Sequence, residues 1–288
     1  MSSEAQSWGK FPWNGQRSIM MHEIFEGSVT AIKAYVKDHE EEILEGFNTW
    51  SSWFEKDARK AVQALGKSLE KARSKRVEEI LRVQKLYAND AAYGEIVCGV
   101  DEVGRGPLAG PIVGAAVILQ DGSSIREEIL GIDDSKKLSK KRREELAKII
   151  QEKAVSYAIY EMSNVDIDRL GIAYCNHEVF RGAIRLLTVK PQIVLSDGYL
   201  IKEYTGKNVS LIKGDAKSAA IACASILAKV HRDQLMERLS VFYPAYDFQH
   251  NVGYGSASHL AALEEFGPTP LHRRTFLTKI LGPKEVER

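Results

Sequence analysis

Four acidic residues stand where short apolar stretches end. Asp101 and Glu102 are adjacent and follow residues 96–100; Asp197 follows residues 193–196; Asp215 follows residues 209–213 and one glycine. Strands lying side by side can bring such ends together, and bunched carboxylates repel one another unless protons or cations neutralise them. No His or Cys accompanies them in metal-ligand spacing, so the ions expected are oxygen-loving, Mg²⁺ or Mn²⁺. Two such ions about 3.5–4 Å apart can clamp the attacking water and the leaving oxygen of a phosphodiester, with no nucleophilic side chain needed. Gly104 and Gly106 let a ligand approach the backbone closely, and Arg105 between them adds a permanent positive charge.

Each acid also has a plainer reading. Asp101-Glu102 before a Gly-rich turn is compatible with a solvated pair on a hairpin. Asp197-Gly198 is compatible with an ordinary turn, and Asp215 with a helix N-terminus favoured by the dipole. Neighbouring strand residues point to opposite faces, so a site using both Asp101 and Glu102 places Glu102 where the strand is breaking. Asp133 and Asp134 are further acids in a polar loop. Asp233 falls 18 positions after Asp215 on the same expected helix, a rise of roughly 27 Å at about 1.5 Å per residue, which makes it structural.

The elements that must position these residues are legible in outline. Before residue 28 the chain reads as irregular, with Gly9, Pro12 and Gly15 as breakers, and Met20 and Met21 are alternative starts to Met1. Residues 29–88 read as helical: Val62, Leu65, Leu69 and Ala72 recur at three- and four-residue steps, with Asp57 as a cap. All four tryptophans (Trp8, Trp13, Trp50, Trp53) lie in this N-terminal region. Lys67, Lys71, Arg73, Lys75 and Arg76 make it locally basic, either as an arm that touches nucleic acid or as a solvated helix face. Residues 89–94 form the joint, giving a helical extension over 1–92 and an α/β domain over 93–288. Within that domain strands are expected at 96–102, 112–119, 155–162, 193–196 and 209–213. Helices are expected from Ser139 to 153, over 167–187, over 216–239 with a first half of small residues, and over 257–266. A Pro-containing C-terminal tail follows. Strands and helices so mixed imply a mixed sheet packed by helices.

At 288 residues and a net charge of +1, the chain holds one large domain with an extension, and a local basic stripe is enough for a nucleic-acid binder. Cys98, Cys175 and Cys223 are odd in number and far apart, which fits buried thiols in a reducing compartment. No signal-peptide pattern or membrane-length apolar run is seen. The expectation is a cytoplasmic protein without a membrane.

The string Asp101-Glu-Val-Gly-Arg-Gly-Pro-Leu-Ala-Gly-Pro111 resembles the signature of ribonuclease HII, the type 2 ribonucleases H. Further matching strings are Asp134-Ser-Lys-Lys-Leu-Ser139, Val194-Leu-Ser-Asp-Gly198, Lys213-Gly-Asp-Ala-Lys-Ser218, Ala228-Lys-Val-His-Arg-Asp233 and Leu271-His-Arg-Arg-Thr-Phe276. The resemblance spans residues 96–276. It implies a ribonuclease-H-like fold with two divalent ions held by Asp101, Glu102, Asp197 and Asp215. It implies that Gly104-Arg105-Gly106 reads the ribose hydroxyl, that Lys136 lies beside the substrate backbone, and that Tyr254 stacks on a sugar. The implied activity is metal-dependent cleavage 5′ to ribonucleotides in RNA–DNA hybrids or in DNA duplexes, leaving 3′-hydroxyl and 5′-phosphate ends. A monomer is the implied acting form. Val252 stands where the family usually has Lys, which weakens the implied backbone binding there. Ribonuclease HIII is disfavoured by Arg105-Gly106 and by the helical extension. A hybrid binder without catalysis would have no reason to keep repelling acids, and no Walker-type loop supports a small-molecule phosphotransferase.

Overall fold

The computed structural model describes residues 16–120 and 128–281, apart from the side chains of residues 16–19 and 279. Trp8, Trp13, the breakers before residue 16 and the end of the C-terminal tail lie outside the described residues. The chain forms two compact units, Met1–Glu79 and Ile80–Arg288.

The first unit is built from α1 (Gln16–Glu26), α2 (Val29–Asp38), α3 (Glu40–Glu45), α4 (Phe47–Lys56) and the first part of α5 (Lys60–Ala91). The region before Ser28 is thus not wholly irregular. Met21 and Phe25, one turn apart, are buried in a cluster with Ile32, Ile43, Trp50, Phe54, Val62 and Leu69, and that packing makes α1 a helix despite its weak local pattern. Asp57 closes α4 and accepts the N–H of Arg59 at 2.8 Å, one residue ahead of α5. The Arg59 guanidinium joins that carboxylate to the carbonyls of Phe25 (2.6 Å) and Gly27 (2.5 Å). Lys67, Lys71 and Lys75 are exposed.

In the second unit the described strands form one sheet in the order β3-β2-β1-β4-β5. They are β1 (Val97–Val103), β2 (Ile112–Ile118), β3 (Ser156–Met162), β4 (Ile193–Asp197) and β5 (Asn208–Leu211). The first three are antiparallel neighbours, whereas β1–β4 and β4–β5 are parallel. The helices are α6 (Lys140–Lys153), α7 (Asn164–Leu170), α8 (Ile172–Leu186), α9 (Ala219–Ser240), α10 (Phe248–Asn251), α11 (Ala257–Phe266) and α12 (Arg274–Leu281). β2 is buried throughout because it is covered from both sides. α9 packs on one face, where Val113, Ala115 and Val117 meet Ala222, Cys223 and Ile226. α8 packs on the other, where Ile112, Ala116 and Ile118 meet Val179, Phe180 and Ala183.

The small residues of α9 serve the close approach expected of them: Ala219 to Ala224 are all buried. Gly99 of β1 completes it, since a Cβ there would sit 2.2 Å from the backbone of Ala220 and Ile221. Ser139 caps α6, as its spacing predicts, by accepting from Arg142 N–H at 3.2 Å. Two expectations need correction. The helix expected over 216–239 begins only at Ala219, after a separate 3-10 turn at Gly214–Ala216. The C-terminal tail contains α12, whose first N–H groups, of Arg274 and Thr275, are capped by Asp168 at 2.8 and 3.0 Å. A cap supplied from so far along the chain leaves no local signal.

Residues 80–91, grouped with the extension by their pattern, are part of the second unit. Val83, Leu86 and Tyr87 are buried against Ile129, Ile132 and the start of α9. Two buried faces are packed in succession along α5, so one uninterrupted helical pattern crosses the division.

Candidate active site

β1 does not break at its acids. Its ladder with β2 runs on through Asp101↔Ala115, Glu102↔Gly114 and Val103↔Val113, while its ladder with β4 stops at Val100↔Ser196. Asp101 and Glu102 therefore keep strand alternation beyond the point where β1 has lost one neighbour. Asp101 turns toward α9 and bonds the Ser225 hydroxyl, which lies 3.0 Å from that of Ser135. Glu102 turns toward the α8 side, where it accepts from the Tyr199 hydroxyl and lies 3.6 Å from Arg105 Nη1. Tyr199 in turn accepts from the Asn176 amide, and the Arg105 guanidinium lies 5.6 Å over its ring. Asp197, the last residue of β4, repels both carboxylates. The two faces thus meet where β1 has lost its β4 neighbour.

Asp215 arrives differently from the strand end expected. It sits in the 3-10 turn after β5, entered through Lys213 in the left-handed region (φ 57°). The Gly214 N–H donates to Asp197 Oδ1 at 2.7 Å, which ties this turn to the end of β4. Asp215 is repelled by Asp134 and Asp197 and attracted by Lys136, so the polar loop carrying Lys136 borders the same place. Asp233 stands apart, paired with Lys229 (2.7 Å) and Arg143 (3.4 Å). The structural role assigned to it agrees, although the shared helix used to argue it does not exist.

The electrostatics follow from burial. Desolvation, followed by the charge of Glu102, pushes the Asp101 carboxyl well above the ordinary carboxylate range. Desolvation also raises Glu102, opposed by Tyr199 and Arg105, and it raises Asp215, helped by Asp134 and Asp197. Hard oxygen donors that are desolvated and mutually repelled fit a divalent cation of the Mg²⁺ or Mn²⁺ kind. They are not drawn together around one: among the described residues, no three His, Cys, Asp or Glu side chains converge closely enough to hold a metal ion. Glu102 is engaged by Tyr199 and Arg105.

Beside the acids, the Gly104–Pro111 loop is fastened by two buried arginines that sequence reasoning quoted within motifs without giving them a role. Arg273 donates to the carbonyls of Gly104 (2.6 Å), Arg105 (3.0 Å), Gly110 (2.9 Å) and Pro111 (3.1 Å). Arg232 donates to Pro111 (2.9 Å), Ala109 (3.1 Å) and Val252 (2.8 Å). Burial lowers both guanidinium groups, Arg232 to about 10 and Arg273 to about 9. Fully buried arginines are rare, and no local feature of the sequence marks these two as buried. Gly104 needs its glycine, with φ 93° and a would-be Cβ 2.4 Å from Arg232 Nε. Gly106 does not: a Cβ there would meet only the Tyr254 ring, at 3.8 Å. Gly106 and the half-exposed Tyr254 therefore face each other.

Tyr254 is held from behind by a buried histidine pair. His259 Nδ1 lies 2.8 Å from the Tyr254 carbonyl, the two Nε2 atoms of His259 and His272 are 2.9 Å apart, and Thr269 N–H donates to His272 Nδ1 at 2.8 Å. A carbonyl at one end and an N–H at the other fix both tautomers: His259 donates through Nδ1, and His272 donates through Nε2 to His259. Both rings are neutral, since burial lowers each pKa, that of His272 to about 4.

Residues 98–279 match the protein family described as ribonuclease HII. A ribonuclease HII of Clostridium perfringens (strain 13 / Type A) is 56% identical over 227 residues, covering 78% of this chain and 83% of that protein. A ribonuclease HII of Clostridium botulinum (strain Loch Maree / Type A3) is 45% identical over 270 residues, 93% of this chain and 99% of that protein. A match that long takes in part of the N-terminal helices as well. The crystal structure of the ribonuclease H2 from Pyrococcus horikoshii OT3 aligns with a TM-score of 0.56 at 29% identity, over 67% of this chain and 98% of that one.

Proposed function

The chain belongs to the ribonuclease HII family and is a ribonuclease-H-type endonuclease, and from that premise we propose that it hydrolyses the phosphodiester 5′ to ribonucleotides. Its substrates are RNA–DNA hybrids and DNA duplexes with embedded ribonucleotides, and its products carry 3′-hydroxyl and 5′-phosphate ends. Asp101, Glu102, Asp197 and Asp215 are the residues that would hold two divalent ions, Mg²⁺ or Mn²⁺. Bound there, such ions supply the positive charge that favours an ionised attacking water and stabilises the departing 3′-oxygen. The observation that carries this reading is the cluster of partly buried acids where β1 has lost its β4 neighbour: desolvation raises Asp101, Glu102 and Asp215, and Asp197 repels each of them.

The remaining roles belong to the chain's own side chains. Gly106 leaves room for the ribose beside the Gly104–Pro111 loop, where only a 2′-hydroxyl separates RNA from DNA. Tyr254 faces that opening and stacks on the sugar. Arg105 neutralises part of the acid cluster and the incoming phosphate, and Lys136 contacts the backbone from the Asp215 side. One chain contributes every group named, so a monomer suffices. The compartment we assign is the cytoplasm; no described helix is long and apolar enough to cross a membrane.

The test is a substrate panel under Mg²⁺, Mn²⁺ and chelator: RNA–DNA hybrid, a DNA duplex with one ribonucleotide, all-DNA duplex and double-stranded RNA. Cleavage of the first two alone, abolished by chelator, is expected. Cleavage of all-DNA duplex, or cutting that survives chelation, contradicts the assignment.

A further inference from the structure

The end of α5 reaches the turn that carries Asp215. Within the second unit, Arg82 Nη2 donates to the Ile132 carbonyl at 2.6 Å, and the Ile129 N–H donates to the Tyr87 hydroxyl at 3.2 Å. These bonds steady the start of the loop that leads to Asp134 and Lys136. Two residues beyond Tyr87, Asn89 Nδ2 donates to the Lys217 carbonyl at 3.0 Å, and Asp90 Oδ2 accepts the Ala220 N–H at 2.9 Å. The Asp90 carboxylate also accepts from the Ser218 hydroxyl and the Ala219 N–H. The segment so gripped is continuous with the Asp215 turn, because Lys217 and Ser218 both donate to the Gly214 carbonyl, at 2.9 and 2.8 Å.

Asp90 shares the capping of α9, because it accepts from the Ala219 and Ala220 N–H groups of the first turn. Ser218 already caps α9 by accepting from Ile221 N–H at 3.1 Å. Asp90 is a buried carboxylate whose Oδ1 has no hydrogen-bond partner, a costly arrangement. The interaction with the helix dipole offsets part of that cost. What Asp90 and Asn89 add is a grip on residues 217–220. The Asp215 turn is then held at both ends, by Asp197 at Gly214 and by the last turn of α5 at Lys217 to Ala220.

We propose that Asn89 and Asp90 are positioning residues that set Asp215 opposite Asp197 and so tune divalent-ion affinity from the N-terminal side. The inference rests on the reading of Asp215 as an ion ligand. Groups that hydrogen-bond a metal ligand directly commonly change metal affinity by roughly 10–100-fold when removed, and Asn89 and Asp90 act through the turn that carries Asp215, so the low end of that range is expected.

The experiment is a calorimetric Mn²⁺ titration of the full chain, without substrate, in wild type, Asn89→Ala, Asp90→Asn and Asp215→Asn, and in each of the first two combined with Asp215→Asn. Asn89→Ala and Asp90→Asn are each expected to weaken Mn²⁺ binding by roughly ten-fold and to add nothing in the Asp215→Asn background. Unchanged Mn²⁺ affinity with a lowered Tm overturns the proposal, as does equal weakening with and without Asp215. Should Asp90→Asn fail to fold, Asn89→Ala decides by the same criteria. Wild-type Mn²⁺ binding in Asp215→Asn alone removes Asp215 from the ligand set and takes the proposal with it, a result distinct from the other two.

Discussion

Adjacent carboxylates on opposite faces of one strand both come near Asp197 here because β1 outruns β4 at Asp101 and Glu102. Burial, followed by the charge of Glu102, raises the Asp101 carboxyl in the fold, which costs stability at neutral pH, a cost that shrinks as pH falls and is gone below the unfolded value near 3.9. Asp101→Asn and Asp197→Asn are expected to abolish cleavage under saturating metal, and for Asp101→Asn the metal-free Tm should hold or rise at pH 7. Near-wild-type cutting by both would remove them from the site. The two loop glycines separate fold from function. Gly104→Ala should destabilise by more than about 1 kcal/mol, since both its φ and its neighbours resist a Cβ. Gly106→Ala should leave Tm nearly unchanged yet cut the rate on a lone ribonucleotide at least about ten-fold, roughly 1.4 kcal/mol. Equal activity of Gly106→Ala and wild type would mean that no sugar approaches there. The acids and the loop were legible in the sequence because each closes an apolar run or fills a motif. Tyr199, Ser225 and Asn176 were not, since ordinary polar residues acquire their roles only when α8, α9 and β4 are brought together.

Two elements carry conflicts with local preference. Val252, a β-branched residue, sits in the left-handed region (φ 45°) with its carbonyl held by Arg232, a conformation costing about 1–2 kcal/mol. Val252→Lys should relieve part of that strain and restore a backbone contact. The salt dependence of duplex binding should then steepen by roughly 0.9 in log–log slope; an unchanged slope would place residue 252 away from phosphate. The histidine pair behind Tyr254 gives a second prediction. In the unfolded chain histidines protonate near pH 6.5, whereas in the fold both are depressed, His272 to about 4. Their contribution is therefore complete above about pH 6.5 and lost as pH falls toward 4. The Tm difference between wild type and His272→Gln should shrink over that window, and a constant difference would exclude the neutral pair. At this scale most strands and helices followed from apolar periodicity, down to the Ser139 cap. α1 and α12 did not, because tertiary packing and a distant cap, rather than their own residues, make them helical.

For the whole molecule, the sequence shows one unbroken helical pattern where the structure has a division. α5 is shared: its first part packs with α1–α4, and its last turns are buried against α9 and the loop before Asp134. Periodicity shows that a face is buried but not against what, so the joint was read at residues 89–94. Removing residues 1–79 should leave the rate of cleavage at saturating substrate within about two-fold, weaken substrate affinity modestly and flatten its salt dependence, through loss of the exposed Lys67, Lys71 and Lys75. Removing residues 1–92 should instead expose the core around Val83, Leu86 and Tyr87 and abolish the folded state. Equal activity of the two truncations would contradict this division of α5. An unchanged salt slope in the shorter deletion, with no change in tryptophan emission on substrate binding by the full chain, would leave the extension without a role in binding.

The central claim is that water, and not the ribose itself, attacks the phosphate at a site where the four acids would hold divalent ions. It is tested most directly by mapping single-turnover products from a DNA duplex containing one ribonucleotide, with Mn²⁺ or Mg²⁺. The account predicts one cut, on the 5′ side of the ribonucleotide, with a 3′-hydroxyl on one fragment and a 5′-phosphate on the other. A cut on the 3′ side leaving a 2′,3′-cyclic phosphate would show the 2′-hydroxyl acting as nucleophile, and would contradict it.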